Sequence, residues 1–267
     1  METKQTEKEN EITRKELGFE NGECWSAIVT GKSRAGGVSL WWREGLQVTV
    51  MSGSLNHIDS KIDEDTYGTW RFLGIYGWPE GSEKWLTWEL LRSLAGQWEG
   101  PWLCGGDLNQ VLTEAEKEGG NRPSVTEMWL FNDCLLDRGV QDLGFQGYKY
   151  TWDNSRGQGG FIEERMDRFV GSDAWSDKFQ DARVLHLDKR RSNHRPIICD
   201  SLGEEDVDPA WGRSFRFDPI WAKHGDCAHL IQQAWQQGGM NDICSKLQQC
   251  REQLGNGAWR PFRTSNF

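Results

Sequence analysis

No stretch of the sequence approaches the ~18 consecutive apolar residues of a membrane-spanning helix. The opening residues, METKQTEKENEITRKELGF, are charged and lack the apolar core of a secretory signal. These two absences exclude membrane and secreted classes and predict a soluble intracellular protein, with the nucleus open to it. C-x-x-C pairs are also missing. The seven cysteines (Cys24, Cys104, Cys134, Cys199, Cys227, Cys244 and Cys250) are odd in number and scattered. They read as reduced thiols, most of them acting as small hydrophobes. In the group His224, Cys227, His229, Cys244 and Cys250, the first two could share a helix face, but His229 points elsewhere and the spacing matches no zinc pattern. Repeats and low-complexity segments are absent. The TGKS of Thr30–Ser33 is not a P-loop, because Ser26 stands where that loop requires glycine. Positive charge is scarce too: the net charge is −10, awkward for a nucleic-acid partner whose phosphates need local positive charge.

What is present is a globular composition of 36% hydrophobic and 27% charged residues over 267 positions, enough for one large or two small cores. The 16 tryptophans read as a thick core with rings at its edges, or as base-stacking surfaces. One basic stretch, DKRRSNHR, places Lys189, Arg190, Arg191 and Arg195 close together; it reads either as a solvated loop or as a patch for a phosphate-bearing substrate. Strand-like runs are CWSAIVT, GVSLWW, LQVTVM, TWRFLGIY, PWLCGG, YKYTW, ERMDRFVG, ARVLHL and RPIICDSL. Helical periodicity covers 82–98 and 126–138, with Thr126 as the N-cap of the second. So many strands with few helices predict two packed sheets flanked by helices. Beyond Leu202 an acidic run with Pro209 reads as a linker into two tail helices too short to bury a core. The predicted domains are therefore 1–200 and a linker with helical tail at 201–267.

Three stretches could carry chemistry. In PWLCGGDLNQVL, an apolar strand ends in two glycines and then presents Asp107 and Asn109, which would share a face of an extended chain. The glycines would let a ligand approach closely. A carboxylate there could orient water or bind a metal, and a carboxamide could donate to a phosphate; both residues are also ordinary turn formers. In RSNHRPIIC, His194 stands at a strand entrance beside Asn193 and Arg195, as a proton carrier, a phosphate ligand or a surface-loop histidine. In ERMDRFVG, Asp167 lies inside a strand pattern and needs a partner, either an imidazole or one of Arg165 and Arg168.

In chain order, ETK at Glu2, IYGWP at Tyr76, GGDLNQVL at Asp107, GYKYTWDN, ERMDRF at Asp167 and SNHRPI at His194 resemble the endonuclease/exonuclease/phosphatase superfamily. Within it they are most similar to the endonuclease domains of LINE-type retrotransposons. EAEKEGG, VLHL and RSFRFDPIWAKHGDC add to the likeness. The resemblance implies a four-layer α/β sandwich of two mixed β-sheets flanked by helices, with a Mg²⁺- or Mn²⁺-dependent phosphodiesterase site acting on DNA. It implies that Glu2 holds the metal, Asp107 activates water, Asn109 and Tyr76 position the phosphate, and His194 contacts a phosphate oxygen with Asp167 fixing its tautomer. The family has a first strand carrying an Asn before the Glu-Thr-Lys segment. Here Glu2 is the second residue, so the inner sheet is expected to lack its first strand and Glu2 to sit on a frayed end. The family's Ser-Asp-His is here Ser192-Asn193-His194, so the metal region loses a carboxylate. The expectation is a truncated, degenerate copy. The alternatives are a non-catalytic nucleic-acid-binding remnant, using the basic loop and an exposed Trp152, or a phosphoesterase of the same fold with another substrate.

Overall fold

Residues at alternate positions of three neighbouring strands are buried on opposite faces, so both faces of one sheet are covered. The computed structural model describes residues 5–26, 36–156, 160–189 and 192–203, with 228–229, 231–233 and 235. The chain divides into two compact units, Met1–Gly212 and Arg213–Phe267, and the elements below belong to the first. They begin with helix α1 (Glu7–Glu16), strands β1 (Asn21–Ser26), β2 (Gly37–Trp42), β3 (Gln47–Gly53), β4 (His57–Glu64) and β5 (Gly68–Tyr76), and helix α2 (Trp85–Ala95). Strand β6 (Trp102–Asp107), β7 (Lys117–Glu118), helix α3 (Val125–Asp137), β8 (Val140–Asp142), β9 (Gln146–Gly147) and β10 (Trp152–Asp153) follow. The unit continues through β11 (Glu163–Glu164), β12 (Asp167–Ser172), α4 (Asp173–Lys178), β13 (Arg183–His186) and β14 (Ile197–Asp200).

The main sheet has the order β3-β4-β5-β6-β12-β8; β5 and β6 are parallel and the other neighbours antiparallel. A second, mixed sheet has the order β14-β13-β9, and β1-β2 and β10-β11-β7 form smaller ones. On one face of the main sheet, Leu73, Ile75, Trp102, Cys104 and Val170 pack with Trp88 and Leu91 of α2 and Phe131 and Leu135 of α3. On the other, Phe72, Leu103 and Phe169 pack with Trp175, Phe179 and Cys199 of β14. The fold is therefore α/β with mixed sheets and helices layered on them.

Several sequence expectations need correction. Helix α1 was read only as a charged terminus; a capping box, in which Thr6 accepts from the Glu9 N–H and Glu9 accepts from the Thr6 N–H, starts it. The N-cap of α3 is Ser124, whose hydroxyl accepts the Glu127 N–H at 3.3 Å, not Thr126. YKYTW contributes only its final Trp152 to a two-residue strand. Strand β4, HIDSKIDE, went unseen because polar residues are buried in it beside Ile58 and Ile62: Asp59 receives both Arg71 Nε (2.6 Å) and Nη2 (2.7 Å), and His57 contacts the hydroxyls of Ser52 and Ser54. Both glycines before Asp107 serve strand packing. A Cβ on Gly105 would lie 2.3 Å from the Phe169 ring; on Gly106, at φ 142°, it would lie 2.1 Å from the Ile75 carbonyl oxygen. Of the first tail helix only 228–229, 231–233 and 235 are described, and they are helical; the second, and most of the His224–Cys250 group, lie outside the described residues. Among the described residues, no helix is long and apolar enough to cross a membrane.

Candidate active site

Strand register places three of the expected residues in one row. Asp107 at the end of β6 is paired with Tyr76 at the end of β5 and with Asp167 at the start of β12. By alternation from Phe72, Leu103 and Phe169, all three face the same side. Asp107 and Asp167 are buried, at 4% and 0% exposure. His194, on the loop before β14, completes the group: its Nδ1 lies 2.9 Å from Asp167 Oδ2 and its Nε2 lies 3.8 Å from Asp107 Oδ2. One ligating atom each from Asp107, Asp167 and His194 falls within 4.8 Å of the others.

Segment 151–153 holds the two halves of this group together. Thr151 Oγ1 accepts the N–H groups of Met166 (3.0 Å) and Asp167 (2.9 Å), while its carbonyl accepts the Arg195 N–H at 2.7 Å. Trp152 bridges to His194, and the Asp153 N–H donates to the Asn193 carbonyl at 3.0 Å. Thr151 was read as an ordinary strand residue, and nothing in its sequence context marks a hydroxyl serving two amides. Trp152, an example of the exposed aromatic in the binding alternative, is half-buried.

Asp167 has found the imidazole and not an arginine. Arg165 and Arg168, both buried, bind Glu116 and Asp142: Arg168 Nη1 lies 2.6 Å from Asp142 Oδ2, its Nη2 lies 2.9 Å from Glu116 Oε2, and Arg165 reaches the same two carboxylates at 2.7 and 2.8 Å. Asn109 departs from the extended chain expected of it. At φ 51° it closes a turn in which its N–H donates to Asp107 Oδ1 at 2.9 Å, and its side-chain nitrogen donates to the Gly77 carbonyl at 2.8 Å. The turn reading of Asp107 and Asn109 is the one this geometry shows. Tyr76 is clamped through its backbone, donating to and accepting from Asn56. Asn193 is exposed, and Glu2 lies outside the described residues. The basic stretch is largely neutralised or undescribed: Lys189 pairs with Asp153, Arg195 lies 4.2 Å over the Tyr148 ring and 3.8 Å from Asp188, and Arg190 and Arg191 lie outside the description.

Electrostatics mark this cluster as a cation or proton trap. Burial first, and then the charge of Asp167, push Asp107 up to about 7, with His194 pulling the other way. For His194, burial opposes the imidazolium, but the hydrogen bond and charge of Asp167, followed by the charge of Asp107, outweigh it and raise the group above its ordinary value. Asp167 Oδ1 is buried with no hydrogen-bond partner. Two buried carboxylates, an unpartnered oxygen and a raised carboxyl are a hard oxygen donor set, and they fit Mg²⁺ or Mn²⁺.

No family model matches the sequence, and no curated protein matches it. Solved structures do. The endonuclease domain of TRAS1, a telomere-specific non-LTR retrotransposon, aligns with a TM-score of 0.51 at 16% identity, over 67% of this chain and 79% of that domain. D. rerio TDP2 in complex with a single-strand DNA product aligns with a TM-score of 0.45 at 12% identity, over 71% and 79%. Beta toxin from Staphylococcus aureus gives 0.42 at 15% identity, over 66% and 77%. With the sheet order and the Asp107–Asp167–His194 row already in place, the TRAS1 likeness identifies the architecture: this chain has the endonuclease/exonuclease/phosphatase fold.

Proposed function

We propose that the chain is a divalent-metal-dependent phosphodiesterase domain acting on DNA, of retrotransposon origin and of reduced activity. The observation that carries this reading is the meeting of buried Asp107 and Asp167, at the ends of adjacent strands, with half-buried His194. Asp107 accepts the proton of the attacking water at Oδ2, since Oδ1 is occupied by the Asn109 N–H. Its raised pKa suits that exchange near neutral pH. Asp167 accepts from His194 Nδ1 and favours the imidazolium, whose Nε2–H, too far from Asp107 for a hydrogen bond, donates to a phosphate oxygen as charge builds. Asp167 carries at Oδ1 the unpartnered oxygen that would hold the cation beside the charge of Asp107, joined by Glu2 and Asn193 in the resemblance; the cation would act as a Lewis acid on the phosphate. Tyr76 and Asn109 border the scissile group. Because Asn193 adds no charge to the metal region, metal binding is weak and so is turnover. The catalytic domain is residues 1–200, followed by a linker and tail at 201–267.

Nicking of supercoiled plasmid under Mg²⁺ tests the proposal. Slow nicking that vanishes in Asp107→Ala, and that Asn193→Asp brings to lower Mg²⁺ concentration, is the expected result. Hydrolysis of soluble phosphate esters but not of DNA would refute the substrate, and a DNA mobility shift persisting in EDTA with no hydrolysis would refute catalysis.

A further inference from the structure

A second site lies away from these carboxylates, where α1 crosses β1 and β2. There a cavity of about 200 Å³ is lined by Glu7, Asn10 and Arg14 of α1, Glu23 and Cys24 of β1, and Trp41 of β2, among others. It shares no residue with the Asp107–His194 group. Its volume is well above the ~30 Å³ share of one water.

Asn10 is the anomaly in this wall. It is only 1% exposed, yet neither its side-chain nitrogen nor its oxygen has a hydrogen-bond partner. A buried carboxamide without partners costs stability, so a polar group that completes it from the cavity side accounts for its presence. Donor and acceptor sit side by side on a carboxamide, so the complement is an edge that carries an acceptor beside a donor. An extended residue has such an edge, its own N–H beside its own C=O, and so does adenine.

Charge decides between them. Arg14 is neutralised by Glu11, with Nη2 to Oε1 at 2.8 Å, and Lys15 also contacts Glu11 at 3.0 Å. Glu7 and Glu23 have no cation within ion-pair distance among the described residues. They act on the cavity as net negative charge; after burial, they are the groups that push the Cys24 thiol up. A nucleotide would bring its phosphates against this field, whereas a cation is drawn in. The Trp41 indole offers a ring to the same cation.

We propose that this cavity binds one residue of a basic peptide segment, its own backbone N–H and C=O paired with the Asn10 carboxamide and its guanidinium or ammonium held by Glu7 and Glu23 beside Trp41. The full chain is titrated calorimetrically with acetyl-Gly-Arg-Gly-amide, with its citrulline counterpart, with agmatine and with adenosine. The arginine peptide is expected to bind, and the citrulline peptide to bind at least about fivefold more weakly. Agmatine, with the cation but no amide edge, binds more weakly than the peptide. Glu23→Gln weakens the arginine peptide about two- to fivefold. Asn10→Leu weakens it at least about tenfold while leaving Tm unchanged or raised, because the unpaired buried amide is gone. Equal binding of the two peptides, agmatine as tight as the peptide, preferential binding of adenosine, no heat from any probe, or full affinity in a folded Asn10→Leu would each overturn the proposal. Should Asn10→Leu fail to fold, the probe comparison on the unaltered chain and Glu23→Gln still decide it.

Discussion

Replacing Asp107 with asparagine should make the protein more stable and less active, by an amount that depends on pH. In the native state burial and Asp167 hold the Asp107 carboxyl up to about 7, against 3.8 for an unperturbed Asp. The protonated form is therefore favoured in the folded chain. Below about pH 4 both folded and unfolded chains are protonated there and the site costs nothing. As pH rises from about 4 to about 7 the unfolded chain ionises first, and folding loses free energy throughout that window. A shift of about three pH units at 1.36 kcal/mol each sets a ceiling of about 4 kcal/mol above pH 7. Asn keeps the volume and the Oδ1 acceptor for the Asn109 N–H, so little else changes. The gain falls below the ceiling because His194 loses an attractive neighbour. Thermal unfolding in EDTA at pH 8 should give Asp107→Asn a Tm several degrees higher, at about 2–4 °C per kcal/mol, converging on the unaltered protein near pH 4. Adding Mg²⁺ should raise the Tm of the unaltered chain alone, and nicking should be lost in the variant. A variant that melts at or below the parent at pH 8, or a gain that is the same at pH 4, would refute the electrostatic account.

The other expectations follow the same geometry. Asp167→Asn should lower nicking by about 10²- to 10⁴-fold and bring the His194 titration, followed by NMR, back down, since its raised value depends on that partner. The nicking rate should rise with pH as Asp107 ionises through about 7 and be limited by loss of the His194 imidazolium proton, which Asp167 delays; Mg²⁺ should move the rising limb to lower pH. Arg168→Leu leaves Glu116 and Asp142 short of a cation in a buried setting and should cost about 3–5 kcal/mol in denaturant unfolding. Gly106→Ala combines a disfavoured φ with a backbone clash and should cost about 3 kcal/mol or more by the same measurement.

The sequence displayed some of this plainly and hid the rest for physical reasons. GVSLWW and TWRFLGIY advertise their strands because apolar side chains supply the burial. HIDSKIDE does not, because Asp59 is buried against an arginine that lies twelve residues away on the next strand. Helix α1 offers few apolar residues, but its Thr-x-x-Glu start was legible as a cap. Asp107 and His194 could be picked out by residue type and motif order. That they meet depends on a register and on Thr151, neither of which leaves a local trace. The two glycines were visible as a signal but not in their purpose: the close contact they permit is with Ile75 and Phe169, inside the protein.

The four-membered cluster behind Asp167 has one more effect. Arg165 and Arg168 flank that aspartate in the chain, and two guanidinium groups so near would ordinarily flood the neighbourhood with positive potential. Glu116 and Asp142 cancel them charge for charge, so the block braces the strand mechanically while remaining electrically silent. Among the described residues, those two arginines therefore add nothing to the balance at Asp107 and Asp167, where two carboxyl groups meet one His194 imidazole and a cation arriving from solution is drawn in.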